Sequence, residues 1–157
     1  MSSKYFQDYY PDNYSYCYGC GKLNEKGMHI KSEWDGEEGV CRYTPDNSKT
    51  GGFPDFLYGG IIASLVDCHC AGTAAAAKLK QDGFKVGEKP MSRFVTASLK
   101  VDYLKPTPVG KELEIRASIK EIKGRKITLG ATVSASGAIT AKGEAVMVMI
   151  KEDENKD

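Results

Sequence analysis

The stretch FLYGGIIASLVDCHCAGTAAAA, residues 56–77, decides the fold, because it predicts a helix that is apolar on nearly every face. A helix of this kind must be enclosed on all sides. One carboxylate, Asp67, nevertheless falls in its middle. An unpaired buried carboxylate is costly or acquires a raised pKa. Asp67 is therefore expected to have a partner, to border a cleft or to take part in chemistry.

The segments on either side of the helix alternate between apolar and polar residues, as half-buried strands do. Two such segments, at 28–34 and 40–45, precede the helix, and four more follow it at 92–106, 111–122, 127–136 and 137–150. The order β-β-α-β-β-β-β with short connections predicts one antiparallel sheet. Since a flat sheet covers one side of a helix, we expect a strongly curved sheet that wraps it, together with a second subunit.

The whole chain reads as one domain over residues 1–157, with an N-terminal arm at 1–16 and a flexible tail at 151–157. Apolar residues make up 41% and charged residues 27%, and the net charge of +1 argues against binding nucleic acid. Asp67 and His69 interrupt the one long apolar run, which argues against a membrane span. A polar start and five cysteines without a paired framework favour a reduced, cytoplasmic protein.

The predicted helix begins with Gly59 and Gly60. First-turn amides have no partner within a helix, and they carry the positive end of its dipole. Two glycines leave room for a ligand, so the turn is suited to hold a carbonyl oxygen that gains negative charge. Gly60 and Asp67 share a helix face, and Ser64 flanks it. The alternative is a glycine-rich helix start whose Asp67 bonds a neighbouring loop.

Four segments resemble the hotdog-fold thioesterases, specifically the branch of the phenylacetate-degradation thioesterase and its acyl-CoA relatives. They are CYGCG at 17–21, GGFPDFLYGGIIASLVD at 51–67, VTASLKVDYLKPTPVG at 95–110 and GEAVMVMI at 143–150. The resemblance covers roughly residues 15–150. It implies an α+β hotdog fold, with one long helix wrapped by a curved antiparallel sheet of about six strands. It also implies a homo-oligomer, either a dimer or a dimer of dimers, with active sites between subunits.

The resemblance implies an acyl-CoA thioesterase that needs no cofactor, because the coenzyme A thioester is the substrate itself. The Gly60 amide of one subunit would polarise the thioester carbonyl. Asp67 of the other subunit would act as general base on water or as nucleophile. Thr96 falls where some relatives hold the attacking water, although β propensity alone also explains a threonine on a strand.

Substrate-binding positions follow from the same resemblance. The turn IKGRK, residues 122–126, lies where relatives grip the nucleotide part of coenzyme A, and a solvated hairpin turn is the alternative. Tyr103 would line the path of the pantetheine arm. The full set of expected substrate contacts is Tyr58, Gly59, Ser64, Tyr103, Lys123, Gly124, Arg125 and Lys126.

One departure from the family pattern bears on activity. Tyr58 stands where the family usually has histidine, nine residues before Asp67. Tyrosine can donate a hydrogen bond but does not titrate near neutral pH. This keeps open a non-catalytic hotdog protein that binds acyl-CoA or another acyl ligand. A dehydratase of the same fold would need a catalytic histidine, and His69 points away from the Asp67 face.

The cysteines raise the question of a metal site. Cys17 and Cys20 have the C-x-x-C spacing of metal ligands, but a second pair is needed to close a site. Cys68, His69 and Cys70 are too close on one helix for all three to face one ion. The sequence therefore predicts no metal, with Cys68 and Cys70 as small buried hydrophobic residues. A metal or redox role for Cys17 and Cys20 remains open at this stage.

Overall fold

The computed structural model describes residues 3–151. Its element order confirms the predicted β-β-α-β-β-β-β arrangement, preceded by two short 3-10 helices. The 3-10 helices span Phe6–Tyr9 and Asp12–Tyr14; the strands and the helix are β1 Ser32–Asp35, β2 Glu38–Tyr43, α1 Gly59–Gln81, β3 Phe94–Tyr103, β4 Leu113–Lys123, β5 Lys126–Ala135 and β6 Ala138–Met149.

The six strands form one antiparallel sheet in the order β1-β2-β4-β5-β6-β3, so β1 and β3 are its edges. Helix α1 contacts all six strands, which requires the sheet to curve around it. Alternate residues of β4 and β5 face the helix, and Leu113, Ile115, Leu129 and Val133 are completely buried there. One long helix enclosed by a curved, six-stranded antiparallel sheet confirms the predicted hotdog fold. The period-2 pattern of the strands supplies the continuous apolar face on which the helix packs.

Helix α1 begins at Gly59 because Tyr58, with φ −58° and ψ 128°, is still extended. It is long and apolar enough to meet the length and composition of a membrane span, and most of it is buried inside the protein. The helix ends before Gly83, whose φ of +89° favours glycine. Near this end Lys78 pairs with Asp82 at 2.9 Å, which places a cation beside the last carbonyl groups.

The described part of the predicted arm, residues 3–16, packs on the domain. Phe6 is fully buried and meets Trp34 edge to face, with ring centroids 5.2 Å apart. The buried amide of Gln7 donates to Ser32 Oγ at 3.0 Å and accepts from the Ser32 N–H at 2.7 Å. The arm therefore closes the core next to β1. Residues 1–2, and the predicted tail beyond residue 151, lie outside the described residues.

The first predicted strand, residues 28–34, is wrong at its start, since β1 begins at Ser32. His29 has a φ of +55°, which breaks the extended backbone, and its side chain is exposed. The residues on either side bond the loop after Cys17: the Met28 N–H donates to Tyr18 O and the Ile30 N–H to Gly19 O. This segment alternates because Ile30 is buried under that loop, not because it joins the sheet.

Candidate functional site

Asp67 projects from the middle of α1 and is half-buried. Its Oδ1 accepts a hydrogen bond of 2.5 Å from the hydroxyl of Thr96, which is exposed on edge strand β3. Both residues line a pocket of about 350 Å³ between the helix, the start of β3 and the N-terminal segment. The structure thus brings together the two side chains predicted to act on water. Among residues 3–151 one side-chain donor holds the carboxylate, which borders an open cleft.

The backbone of β3 is irregular beside Thr96. Thr96 is opposite Met147 of β6 and Ser98 is opposite Val146, so one extra residue, Ala97, is inserted in β3. Such a bulge turns side chains out of simple alternation. Strict alternation would place Phe94, Thr96 and Ser98 on one face, and the inserted residue breaks this pattern from Ala97 onwards. The bulge sits beside the contact between Thr96 and the carboxylate.

The first turn of α1 carries the predicted oxyanion donor. Within residues 3–151 the first helical hydrogen bonds are those of Ile61 and Ile62 with Tyr58 O, so the amides of Gly59 and Gly60 are left without a backbone acceptor. The Tyr58 ring lies over Gly60, where a Cβ would be 2.4 Å from ring carbon Cε1. A side chain at residue 60 would therefore have to displace the Tyr58 ring. The Tyr58 side chain therefore lies beside the free amides of Gly59 and Gly60, as expected from their adjacent positions in the sequence.

Two more predicted residues surround the same turn. Tyr103, exposed near the end of β3, donates its hydroxyl to Gly59 O at 2.8 Å. Ser64 donates to Gly60 O at 2.9 Å, one turn back along the helix. Both hydroxyls satisfy carbonyls of the first turn, so they support its shape. The first turn at Gly60 lies about 10 Å along the axis from Asp67, which is seven residues further on.

The predicted nucleotide-binding turn stands apart from these residues. Gly124, with φ +60°, forms the tight connection between β4 and β5. Lys123 and Lys126 are exposed on either side of it. The Arg125 guanidinium donates to Met149 O at 3.3 Å, and the Met149 N–H donates back to Arg125 O at 2.8 Å. The turn is thus a basic hairpin anchored to the end of β6.

His69 is fully buried on the side of α1 away from the pocket. Its Nδ1 lies 2.8 Å from Ser32 Oγ, and its Nε2 lies 2.9 Å from Gly39 O. Burial lowers the pKa of His69 to about 4, against a small opposing effect of the Gly39 carbonyl. The imidazole is therefore neutral and bonded on both nitrogens. This placement agrees with the prediction that His69 and Asp67 face opposite ways.

The structure adds a group of thiols to the pocket, which the sequence did not assemble. The sulfurs of Cys17, Cys20 and Cys68 all lie within 4.8 Å of one another. Hydrogen bonds from Cys20 and Cys68, together with the nearby amides of Cys20 and Gly19, lower the pKa of Cys17 to about 2. The same contacts raise the pKa values of the other two thiols. Of the three thiols, Cys17 is thus the one whose thiolate form its neighbours favour.

In the sequence, Cys68 was considered as a possible metal ligand only together with its helix neighbours His69 and Cys70. The structure shows that this set of residues was the wrong one. Cys68 instead faces the loop that carries Cys17 and Cys20, while Cys70 lies in the core. Cys17 and Cys68 are 51 residues apart in the chain. Spacing within one segment carries no signal for such a contact, and only the path of the loop across the helix reveals it.

Comparison with known proteins places the chain in a family. The model of the thioesterase superfamily matches residues 55–142, more than half of the 157-residue chain. The chain therefore belongs to the thioesterase superfamily. This stretch includes the start of α1, Asp67, Thr96 and the basic hairpin.

Individual relatives agree with this assignment. Acyl-coenzyme A thioesterase THEM4 of Rattus norvegicus is 30% identical over 105 residues, which are 67% of this chain and 40% of that protein. The chain thus spans less than half the length of this curated relative. A crystal structure of a thioesterase superfamily protein from Shewanella loihica is 39% identical, with a TM-score of 0.67, and the match covers 89% of this chain and 98% of that one.

A less similar solved structure shares the fold. It is smu.793 from Streptococcus mutans bound to acetyl CoA, which is 16% identical with a TM-score of 0.62. The match covers 82% of this chain and 96% of that one.

Proposed function

We propose that this protein hydrolyses acyl-CoA thioesters, with the Asp67 carboxylate as general base or nucleophile. The observation that carries the proposal is the placement of Asp67 in an otherwise apolar helix. The carboxylate is half-buried, borders a pocket and is oriented by the hydroxyl of Thr96. A structural carboxylate would be expected to pair with a cation or to cap backbone amides. The geometry here leaves one carboxylate oxygen for a water molecule or a substrate.

The reaction needs a base, and a hydrogen-bond donor that stabilises the negative charge developing on the carbonyl oxygen. As base, Asp67 would take a proton from water while the water oxygen attacks the thioester carbonyl. The amide of Gly60, at the positive end of the helix dipole, would donate to the oxygen that becomes negative. The carbon–sulfur bond then breaks, and the proton goes to the departing thiolate to give free coenzyme A and a carboxylic acid. As nucleophile, Asp67 would first attack the carbonyl carbon, break the carbon–sulfur bond and expel coenzyme A as its thiolate. The resulting anhydride would then be hydrolysed by water to the carboxylic acid and the free Asp67 carboxylate, with the proton from water going to the thiolate.

The separation of these two groups favours a site shared by two chains. Gly60 and Asp67 of one helix are about 10 Å apart along the axis, too far to act on one carbonyl group. Edge strand β3 is ten residues long and exposes the apolar side chains of Val95, Leu99 and Tyr103. A long apolar edge invites pairing with another strand. We therefore propose a homodimer joined along β3, with Asp67 of one protomer facing Gly60 of the other.

Coenzyme A is the ligand class that the surroundings and the relatives favour. The basic hairpin presents Lys123 and Lys126 to solvent, which suits the phosphates of a nucleotide. The rat relative is named an acyl-coenzyme A thioesterase, and the streptococcal structure holds acetyl CoA. These names support an acyl-CoA substrate for this chain as part of the proposal.

A second candidate is an acyl-CoA-binding protein that does not turn its ligand over. The observation that favours it is the Tyr58 ring, which lies directly over Gly60. In this reading the ring occupies the space that a thioester carbonyl needs in order to reach the first-turn amides. The two candidates differ in whether coenzyme A is released.

A thiol-release assay over short, medium, long and aromatic acyl-CoAs tests the first candidate. We expect turnover with one of these classes, and a kcat lower by about 100-fold for Asp67→Asn, which is within the range of general-base catalysis. Glu112→Gln, just before β4, is the control, since Glu112 is an exposed carboxylate outside both the pocket and β3. Equal rates for Asp67→Asn and the parent protein would overturn the role of Asp67.

A thermal-shift measurement with the same esters separates the second candidate. Stabilisation of the parent protein without thiol release would favour the binding protein. Tyr58→His then restores the family residue, and Tyr58→Phe removes the hydroxyl while it keeps the ring. Turnover that appears in Tyr58→His and is absent from both tyrosine and phenylalanine forms would show that the ring suppresses hydrolysis.

A further inference from the structure

Three thiols from two distant segments converge at the base of the pocket. The Cys17 and Cys68 sulfurs are 3.8 Å apart, and both lie within 4.8 Å of the Cys20 sulfur. Cys20 and Cys68 are buried, while Cys17 is exposed toward the pocket. None of the cysteines is in a disulfide. The loop and the helix thus present three potential sulfur ligands to one point in space.

The loop that carries the first two thiols is built tightly around the third. At Gly19 a Cβ would lie 2.3 Å from the Cys68 sulfur, so any side chain there would displace it. At Gly21 a Cβ would lie 2.4 Å from both Cys17 N and Ser15 O. The Gly21 N–H donates to Cys17 O at 2.8 Å and closes the turn. Both glycines are therefore required for the sulfurs to meet.

We propose that Cys17, Cys20 and Cys68 bind one zinc ion per chain. Zinc takes thiolate ligands at about 2.3 Å in tetrahedral geometry, which places neighbouring sulfurs about 3.8 Å apart. The Cys17–Cys68 separation already has this value. The fourth position would face the pocket and be filled by water or another ligand. Zinc binding releases one proton from each thiol that is not already a thiolate.

This proposal departs from the expectation of no metal, for a structural reason. The sequence argument required a second C-x-x-C pair, whereas the helix supplies Cys68 as a third ligand. A disulfide between any two of these cysteines would leave the third thiol unused, but a zinc ion uses all three. Bound zinc would tie the N-terminal loop to α1 immediately beside Asp67. The proposal does not depend on hydrolysis, since it concerns a different set of atoms.

The test is zinc analysis of the full chain, purified without chelators or added reductant. We expect about one zinc per chain, released when a mercurial reagent titrates the thiols. The metal-free protein, loaded with cobalt, is expected to show sulfur-to-cobalt charge-transfer absorption. Competition with a chromophoric chelator should show zinc binding weakened about 100-fold or more in Cys68→Ala, since even loss of an outer-shell partner costs 10–100-fold.

Cys70→Ala is the matched control for Cys68→Ala. Both residues are buried on α1 two positions apart, but Cys70 is outside the sulfur group. Cys17→Ser, at the exposed ligand, covers the case in which Cys68→Ala does not fold, and the same loss of zinc is expected. A zinc-free protein that also fails to bind added zinc would overturn the proposal. So would equal zinc affinity in all variants, or a disulfide within the group.

Zinc content is measured without substrate, so it is independent of the hydrolysis assay. A protein that holds zinc but releases no thiol would overturn the proposed hydrolysis alone. A protein that hydrolyses acyl-CoA but binds no zinc would overturn the zinc site alone.

Discussion

His69 and Asp67 are ionisable residues two positions apart on one helix, yet they differ in burial and in hydrogen bonding. His69 is fully buried and has partners on both ring nitrogens, and its own backbone carbonyl accepts from the hydroxyl of Thr73. Asp67 is half-buried and is held by the hydroxyl of Thr96 beside an open pocket. The side of the helix at His69, the enclosed side, has its polar groups bonded within the protein. The side at Asp67 and Thr96, the open side, borders the pocket and can still bind a ligand.

This contrast separates a structural polar group from a candidate catalytic one. Burial that is matched by fixed hydrogen bonds stabilises one arrangement and excludes solvent from it. A carboxylate with one donor and a pocket in front of it can still accept from water or substrate. Mutations on the His69 side should therefore change stability, and mutations on the Asp67 side should change turnover.

The largest effect is expected on the enclosed side, from Gly39→Ala. A Cβ at Gly39 would lie 2.2 Å from Thr73 Oγ1 and 2.9 Å from Thr73 Cγ2. Overpacking of a buried site should lower the free energy of unfolding by about 3 kcal/mol, measured by urea denaturation. The double variant Gly39→Ala, Thr73→Ala should recover part of this loss because the clash is gone. A single Gly39→Ala variant as stable as the parent would contradict the tight packing.

A slightly smaller effect is expected from the titration of His69. Its folded pKa of about 4 lies below the usual value of 6.5. Protonation therefore favours the unfolded chain, so the contribution is complete above pH 6.5 and is lost as pH falls toward 4. Between pH 7 and pH 5 the free energy of unfolding should fall by about 2 kcal/mol from this group.

The control for this titration is His69→Gln, which keeps a polar side chain that does not titrate. Carboxylates also titrate at low pH, so the informative quantity is the difference in slope between the two proteins. The parent should lose more stability than His69→Gln over the same interval. Parallel pH profiles would mean that His69 is not buried as a neutral imidazole.

The enclosed side of the molecule was largely predictable from the sequence, and the reason is periodicity. Alternation in β4 and β5, and the nearly continuous apolar run of α1, directly encode which faces are buried. The spacing of Gly60 and Asp67 similarly encodes a shared helix face. Such patterns stay within one element, so they can be read before the chain is folded.

The open side was less predictable because its features depend on contacts between elements. The bulge at Ala97, which ends strict alternation beside Thr96, arises from pairing with β6. The approach of Cys68 to Cys17 arises from the path of a loop over the helix. Ile30 looked like a strand residue, since burial under that loop produces the same apolar signal as burial in a sheet.

A moderate effect is expected on the open side from Thr96→Val. The change removes the donor to Asp67 and keeps the shape of the side chain. A hydrogen bond to a charged group contributes about 1.5 kcal/mol or more, so kcat should fall about 10-fold in the thiol-release assay. Thr96→Ser should restore most of the rate, and Ser118→Ala, exposed on β4 and outside the pocket, is the control. A Thr96→Val enzyme at full rate would show that this contact does not orient the carboxylate.

The smallest effect is expected farthest from the carboxylate, at the basic hairpin. Lys123 and Lys126 are exposed, and exposed charges attract phosphates weakly through screened interactions. The double change to glutamine should raise KM for acyl-CoA about 3-fold at low salt with little change in kcat, and the difference should shrink as salt is added. Lys111→Gln, before the opposite end of β4, should leave KM unchanged. If the double variant has the same KM as Lys111→Gln, the hairpin does not contact the nucleotide. The substrate contacts would then be confined to the pocket beside Asp67.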